Sequence, residues 1–331
     1  MLNDMSFAGH RHNIRRPRLR GLGLGFDHDT WMASPSGAEL HLLVRMPPNA
    51  PRAVVQINHG LAEHAARYAW FADRLAAAGI ASYVHDHRGH GSTRAPDAPP
   101  RSFGSAQEVL DDVLAVHDRI ADDHPGVPIV IFGHSMGGLI AFNYLFRHAG
   151  RVAGAAIWNA NFAAGPATLA ARAILAWERF RMGSDVPSRI LPRLTFQAWG
   201  KRIPQRRTLF DWLSHDPAQV DRYIADPLCG WDPSVAMWRD VFGWMAAGAD
   251  DRNMMRIRRD LPLHLAGGAD DPATEGGAAV STLAARLRRH GFSNLVSTIY
   301  PRTRHENLNA LNRNLIADDF LAWMDNILLG R

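Results

Sequence analysis

Gly133-His134-Ser135-Met136-Gly137-Gly138 stands between the apolar run Val127 to Phe132 and Leu139-Ile140-Ala141-Phe142-Asn143-Tyr144-Leu145-Phe146, a stretch that suits a helix. A short strand, a glycine-crowded turn with a central serine, and then a helix make the G-x-S-x-G nucleophile elbow. Such a turn is too tight for side chains at Gly133 and Gly137, so the chain pivots sharply and holds Ser135 Oγ clear of a sheet. The backbone N–H of Met136, at the helix start, then points to where a carbonyl oxygen gains negative charge. A surface serine in a glycine-rich strand-to-helix turn is the competing reading of these six residues.

Strand-like and helix-like segments alternate on either side of the elbow. Leu40 to Arg45, Ala53 to Asn58, Ile80 to His85, Val127 to Phe132 and Val152 to Trp158 read as strands. His64 to Ala78, ended by Gly79, and Ser105 to Asp123 read as helices. The rhythm resumes with strand Pro262 to Ala266, helix Ala278 to His290, strand Leu295 to Tyr300 and a final helix Asn314 to Leu329. Alternation of this kind predicts a mostly parallel sheet with helices on both faces. The stretch 161–235 breaks the rhythm, being helical in pattern and rich in Arg, Trp, Phe and Pro. An insertion at that point is where a cap over an active site would sit. The expected organisation is a basic, poorly ordered leader over 1–25, a core over 26–160 and 236–331, and a helical cap over 161–235.

A serine hydroxyl needs a histidine to take its proton, and the histidine needs a carboxylate to fix its tautomer and steady the imidazolium. On this kind of sheet the order along the chain is Ser, then Asp or Glu, then His. After Ser135, the strand Leu263-His264-Leu265-Ala266 runs into Gly267-Gly268-Ala269-Asp270-Asp271-Pro272, and the next strand into Tyr300-Pro301-Arg302-Thr303-Arg304-His305. Both loops leave the strand ends where ligands gather in open parallel sheets. Chemistry alone leaves Asp270 and Asp271 equivalent. Asn58-His59-Gly60-Leu61 follows an early strand, and Gly60 allows a close turn that lets Leu61 N–H face Met136 N–H across a scissile carbonyl.

Six stretches together resemble the monoglyceride lipase and lysophospholipase group of α/β-hydrolases, also termed serine-aminopeptidase-like. They are His59-Gly60-Leu61-Ala62-Glu63-His64 with Arg67-Tyr68, Asp86-His87-Arg88-Gly89-His90-Gly91-Ser92, the elbow itself, Trp212-Leu213-Ser214, Asp226-Pro227-Leu228-Cys229-Gly230 and Arg304-His305-Glu306-Asn307-Leu308-Asn309. The resemblance covers the chain from about residue 30 onward. It implies an α/β-hydrolase fold with an inserted helical cap, and hydrolysis of a carboxylic ester through an acyl-enzyme. Ser135 would attack, His305 shuttle the proton, and the N–H groups of Leu61 and Met136 hold the oxyanion. The family pattern Gly-x-x-Asp-Pro, met here from Gly268 to Pro272, implies Asp271 as the acid that orients His305. Substrates resembling monoacylglycerols or lysophospholipids are implied, and no cofactor. Arg302 and Arg304 make the loop before His305 more basic than is usual in the group.

Other readings are carried beside this one. The same triad could serve a small-ester carboxylesterase or an aminopeptidase, and the fold could be a catalytically silent binding protein. His85, His87 and His90 space as H-x-H-x-x-H, which invites a metal-dependent hydrolase, but Gly89 stands where binuclear zinc sites carry an Asp. Asp86 and Arg88 instead fit a loop held by hydrogen bonds. Glu63 and Arg67, four apart, read as a local ion pair. The aromatic residues between 177 and 242 either line an acyl pocket or pack the cap on the sheet.

Composition bounds the remaining possibilities. The 331 residues, 47% hydrophobic with ten tryptophans, suffice for one large α/β domain with an insertion. Cys229 is the sole cysteine, so an intrachain disulfide and a multi-cysteine metal site are excluded, and it reads as a packed side chain. No apolar run approaches the roughly 20 residues that cross a bilayer, and no apolar region follows the arginines of the leader as a secretion signal would require. A cytoplasmic location is therefore the expectation. The net charge of +5 is unevenly spread: +4 over 1–25, +7 over 172–207 and −6 over the remainder. No nucleic-acid recognition motif accompanies the basic stretches. Peripheral contact of the cap with anionic lipid is the partner such charge suits.

Overall fold

Runs of Val, Ile and Ala without polar alternation suit strands covered on both faces, and they form the centre of a single eight-stranded sheet. The computed structural model describes residues 25–96, 98–99 and 101–329. Its strands are β1 (His28–Ala33), β2 (Glu39–Arg45), β3 (Ala53–Asn58), β4 (Ile80–His85), β5 (Ile129–His134), β6 (Gly154–Trp158), β7 (Leu263–Gly268) and β8 (Leu295–Tyr300). They lie in the order β1-β2-β4-β3-β5-β6-β7-β8, parallel from β4 to β8, with β2 antiparallel to both its neighbours. Every residue of β3, β4, β5, β6 and β7 is buried. The expected leader falls almost wholly on 1–24, outside the described residues.

The helices are α1 (Ala69–Ala77), α2 (Ala106–Asp123), α3 (Met136–His148), α4 (Pro166–Met182), α5 (Leu191–Leu194), α6 (Phe196–Arg202), α7 (Pro217–Ala225), α8 (Val235–Ala249), α9 (Asp251–Met254), α10 (Ala278–Arg289) and α11 (Arg313–Leu329). Alternate strand residues point to opposite faces, so Ile131, Ala155 and Leu263 pack under α3, α8 and α10. Val130, Phe132 and Ala156 pack under α1 and α11 through Phe71, Phe320 and Trp323. The Ser105 hydroxyl caps α2 by accepting from Glu108 N–H at 3.2 Å, and Gly79, at φ 75°, takes the left-handed step that follows α1.

Several elements differ from the sequence reading, which assigned neither α8 nor α9. The edge strand β1 was not expected, because HDTWMA carries no buried face of its own and is mostly exposed. The helix expected from His64 begins instead as a 3₁₀ turn, Ala65–Tyr68, before α1. The segment 161–235 contains α4 to α7, and its expected boundary at 235 meets the first residue of α8. Helix α4 rests on α8 through a buried face that includes Ala171 and Leu175.

The topology places the site. From β3 the chain crosses to β4 on one side, then returns to lay β5 on the other, so the segments leaving β3 and β5 diverge. Asn58 and Gly133 are register partners at that switch point, where a crevice opens beyond the strand ends.

Candidate active site

Ser135 follows β5 directly and precedes the first residue of α3, with φ 55° and ψ −118°. A side chain on Gly133 would overlap the Gly137 carbonyl, and one on Gly137 would overlap the Asn58 carbonyl. The two glycines thus let α3 start against β3 and β5, and the strained serine projects its hydroxyl into the crevice. Ser135 Oγ lies 2.9 Å from His305 Nε2, and His305 Nδ1 lies 2.9 Å from Asp271 Oδ2. Asp271 leaves the end of β7 and His305 the end of β8.

Asp271 is fully buried, yet its carboxyl is held below the usual range. Burial pushes it up. The charge and hydrogen bond of His305 and the donors Asn159 Nδ2 (3.0 Å) and Thr274 Oγ1 (2.7 Å) outweigh burial and keep it ionised. Asp270 points elsewhere and pairs with His215 at 2.8 Å. Asn159 had no signal in the sequence beyond its place at the end of β6, and it sits at φ 49°.

Leu61 and Met136 both line the cavity beside Ser135. Met136 opens α3, where the helix itself leaves N–H groups unspent. The Leu61 N–H meets no acceptor among the described residues. The left-handed residue of this turn is Ala62, at φ 56°, rather than Gly60. A Cβ on Gly60 would instead come within 2.7 Å of the Glu63 carboxylate, which accepts the Gly60 N–H at 2.6 Å.

The turn is held from outside by stretches named above and by Tyr223 and Asp211, which the sequence reading did not single out. Ala62 C=O accepts from Tyr223 Oη (3.0 Å) and Gly230 N–H (2.9 Å), and Asp226 meets His64 Nε2 at 2.7 Å. His305 N–H and Glu306 N–H donate to Trp212 and Leu213 C=O, while Arg304 donates to Asp211 and Ser214 C=O. The stretches Trp212-Leu213-Ser214 and Asp226 to Gly230 therefore brace the histidine loop and the Leu61 turn. Glu63 and Arg67 do pair, at 2.5 Å, but Arg67 also forks onto Glu306 at 2.6 and 2.9 Å. The expected local pair is part of a larger buried network.

The histidines do not converge as a metal site, which overturns the metal-dependent alternative. His90 Nε2 accepts Ala62 N–H at 3.2 Å, and its Nδ1 faces Arg88 C=O at 3.0 Å. Among the described residues, the side chains whose ligand atoms come within reach of one ion are His64, Asp226 and Cys229, not His85, His87 and His90. Asp86 holds its loop through Ala65 N–H, Ser92 N–H and His41 Nδ1. Arg88 reaches away from that loop to Asp112 and Ser36. Cys229 is buried, and burial pushes its thiol well up, so it is no thiolate.

The cavity above Ser135 holds about 190 Å³. Phe196 and Trp199 of α6, Trp212, and Trp238, Phe242 and Met245 of α8 form its walls. Trp177 and Phe180, from the same aromatic stretch, face solvent on α4. The aromatic residues thus divide between a lining and an outer surface.

The chain resembles proteins already characterised. The model of a family described as serine aminopeptidase, S33, matches residues 49–312. A monoacylglycerol lipase of Mycolicibacterium smegmatis is 29% identical over 88% of this chain and 95% of its own length. A monoglyceride lipase of Homo sapiens is 29% identical over 70% of each chain. A solved carboxyl esterase from Bacillus coagulans, 22% identical, superposes with a TM-score of 0.82 over 91% of this chain and 98% of its own, so the fold is that of the α/β-hydrolases.

Proposed function

The chain belongs to the serine aminopeptidase, S33, family of hydrolases and cleaves carboxylic esters, and from that premise we propose that Ser135, His305 and Asp271 form its catalytic triad and that its substrates are monoacylglycerols. The observation that carries the reading is the relay Ser135 Oγ to His305 to Asp271, each step 2.9 Å, at the floor of an aromatic-walled cavity. His305 Nε2 takes the proton as Ser135 Oγ attacks the ester carbonyl, and returns it to the departing alcohol. Asp271, buried and ionised, fixes the tautomer that leaves Nε2 free to accept. The N–H groups of Leu61 and Met136 receive the oxyanion, and water then hydrolyses the acyl-enzyme.

An apolar wall around one polar floor suits a single acyl chain with a small alcohol. An aminopeptidase would need a free carboxylate for the substrate ammonium. The two carboxylates that reach this cavity, Glu63 and Glu306, are both engaged by Arg67. The segment 161–235 would act as the cap, since Phe196 and Trp199 of α6 line the cavity above Ser135.

No helix among the described residues is long and apolar enough to cross a membrane. Peripheral contact is the reading the outer cap supports. On α4 and the segment after it, exposed Leu169, Trp177, Phe180 and Leu194 lie among exposed Arg172, Arg179, Arg181, Arg189 and Arg193. This composition suits an anionic lipid surface from which a monoacylglycerol is drawn.

The test is a substrate panel: p-nitrophenyl esters of increasing length beside a monoacylglycerol, a lysophospholipid and an aminoacyl amide. The monoacylglycerol should be turned over with the highest kcat/KM and the amide not at all. Preference for acetyl over longer esters would make the protein a small-ester carboxylesterase instead.

A further inference from the structure

His134 is the variable residue of G-x-S-x-G, and its hydrogen-bond partners decide its charge. The ring is buried beside Ser135, with its centroid 5.0 Å from that of His305. Its Nε2 lies 3.0 Å from the main-chain carbonyl oxygen of His305. A carbonyl only accepts, so Nε2 carries a proton. Its Nδ1 lies 3.5 Å from Glu63 Oε1. Glu63 already accepts Gly60 N–H and Tyr68 Oη–H on Oε1 and the Arg67 guanidinium on Oε2, so it is a carboxylate and it too only accepts. Nδ1 facing a carboxylate therefore carries the second proton.

We propose that His134 is held as an imidazolium and acts as a positioning residue for the triad described above, tying the main chain of His305 to the Leu61 turn through Glu63. Glu63 is the hinge of that tie. Its Oε1 accepts Gly60 N–H at 2.6 Å, one residue before Leu61, and Tyr68 Oη–H at 2.9 Å. Its Oε2 meets Arg67, whose guanidinium forks onto Glu306, the residue after His305. The groups facing His134 are thus Glu63 from the Leu61 turn, Arg67 and Tyr68 from the 3₁₀ turn, and His305 and Glu306 from the loop after β8.

Charge balance requires the second proton. Glu63 and Glu306 carry two negative charges in a buried cluster, and Arg67 supplies a single positive one. An imidazolium at His134 brings the cluster to neutrality, the condition under which buried charges persist. Burial by itself would lower the pKa of this imidazole. The hydrogen bond and charge of Glu63, the carbonyl of His305 and the charge of Glu306 reverse that and raise it. Loss of the Nδ1 proton would turn an attraction between Nδ1 and Glu63 into a lone-pair repulsion and cut the tie at Glu63, leaving only Nε2–H on the His305 carbonyl.

The experiment has two arms on the full chain. In the first, ¹⁵N-histidine NMR reads the ring nitrogens at neutral pH, with His134→Gln to assign the signal. Both His134 nitrogens should be protonated, and Glu63→Gln should return the ring to a single proton. In the second, His134→Gln, which keeps one amide donor and loses the charge, is assayed on a soluble short-chain ester. It should lower kcat by about ten- to a hundredfold with KM little changed, as misplacement of a catalytic group does. The first arm needs no substrate, so it separates this proposal from the triad on which it rests. A neutral His134 in the wild type, or a His134→Gln variant with wild-type kcat, overturns it.

Discussion

At the scale of residues, the site depends on a serine held where few L-residues go. Ser135, at φ 55° and ψ −118°, stores on the order of 1–3 kcal/mol of backbone strain. The surrounding turn over-determines it: Ser135 N–H donates to Trp158 C=O at 2.9 Å, and Gly133 and Gly137 leave no room for relaxation. The paired aspartates show what a sequence carries and what it hides. The convergence of Ser135 and His305 was legible from strand ends and chain order. Asp270 and Asp271 were not separable that way, because the difference lies in a turn one residue long. There Asp271 N–H closes onto Gly268 C=O at 3.3 Å and Asp271 turns inward to His305, while Asp270 reaches outward to His215. If Asp271 orients His305, Asp271→Asn should lower kcat by about 10⁴ through the wrong tautomer, and Asp270→Asn should leave kcat within a few-fold. Steady-state assay of the two variants checks this, and the opposite ranking would move the acid to Asp270. Asn159 was invisible for a different reason: its role exists only once β6 lies beside β7.

Among the elements, α4 separates packing from display. It buries Ala171, Leu175 and Glu178, with Glu178 receiving Ser188 Oγ–H and the Arg189 and Ile190 N–H groups. The same helix leaves Phe180 89% exposed and Trp177 half exposed under the Arg181 guanidinium. A phenylalanine so exposed stabilises nothing in the fold, which suits a surface that meets lipid. Replacing Trp177 and Phe180 together by Ser should leave Tm and soluble-ester turnover unchanged while weakening binding to anionic vesicles. Raising salt should slow hydrolysis of vesicle-borne substrate by the wild type, since exposed charges are screened over roughly 8–10 Å, and spare a soluble ester. Equal binding to neutral and anionic vesicles would reduce the patch to a solvated surface. The central strands were legible because burial on both faces writes an uninterrupted apolar run. The edge strand β1 was not, since its pairing with β2, from His28↔Val44 to Ala33↔Glu39, is made by backbone rather than by a buried face.

For the whole molecule, folding is coupled to protonation at the sheet's C-terminal rim. His59, His85, His87 and His90 are buried beneath the Leu61 turn, and burial is the leading cause that lowers all four, His85 and His90 to about 3. As neutral rings two of them accept: His90 Nε2 takes Ala62 N–H, and His59 Nε2 takes His87 N–H at 2.9 Å. In the unfolded chain each imidazole binds a proton below about pH 6.5, while the folded chain refuses it until far lower. The unfolded state therefore holds more protons in that window, and stability falls as pH falls, by up to about 1.4 kcal/mol per unit for each ring. Urea midpoints taken from pH 7 to pH 5 should drop steeply, and a flat profile would show that these rings are not neutral in the fold. The central claim, that Ser135 is the acylated nucleophile of a monoacylglycerol hydrolase, is tested most directly by intact-mass and turnover measurements on wild type and Ser135→Ala. Wild type should gain one fluorophosphonate adduct at Ser135 and release fatty acid and glycerol from monoacylglycerol. Ser135→Ala, folded to the same Tm, should take no adduct and lose about 10⁶ in kcat. Adduct formation elsewhere, or near-normal turnover without the Ser135 hydroxyl, would contradict it.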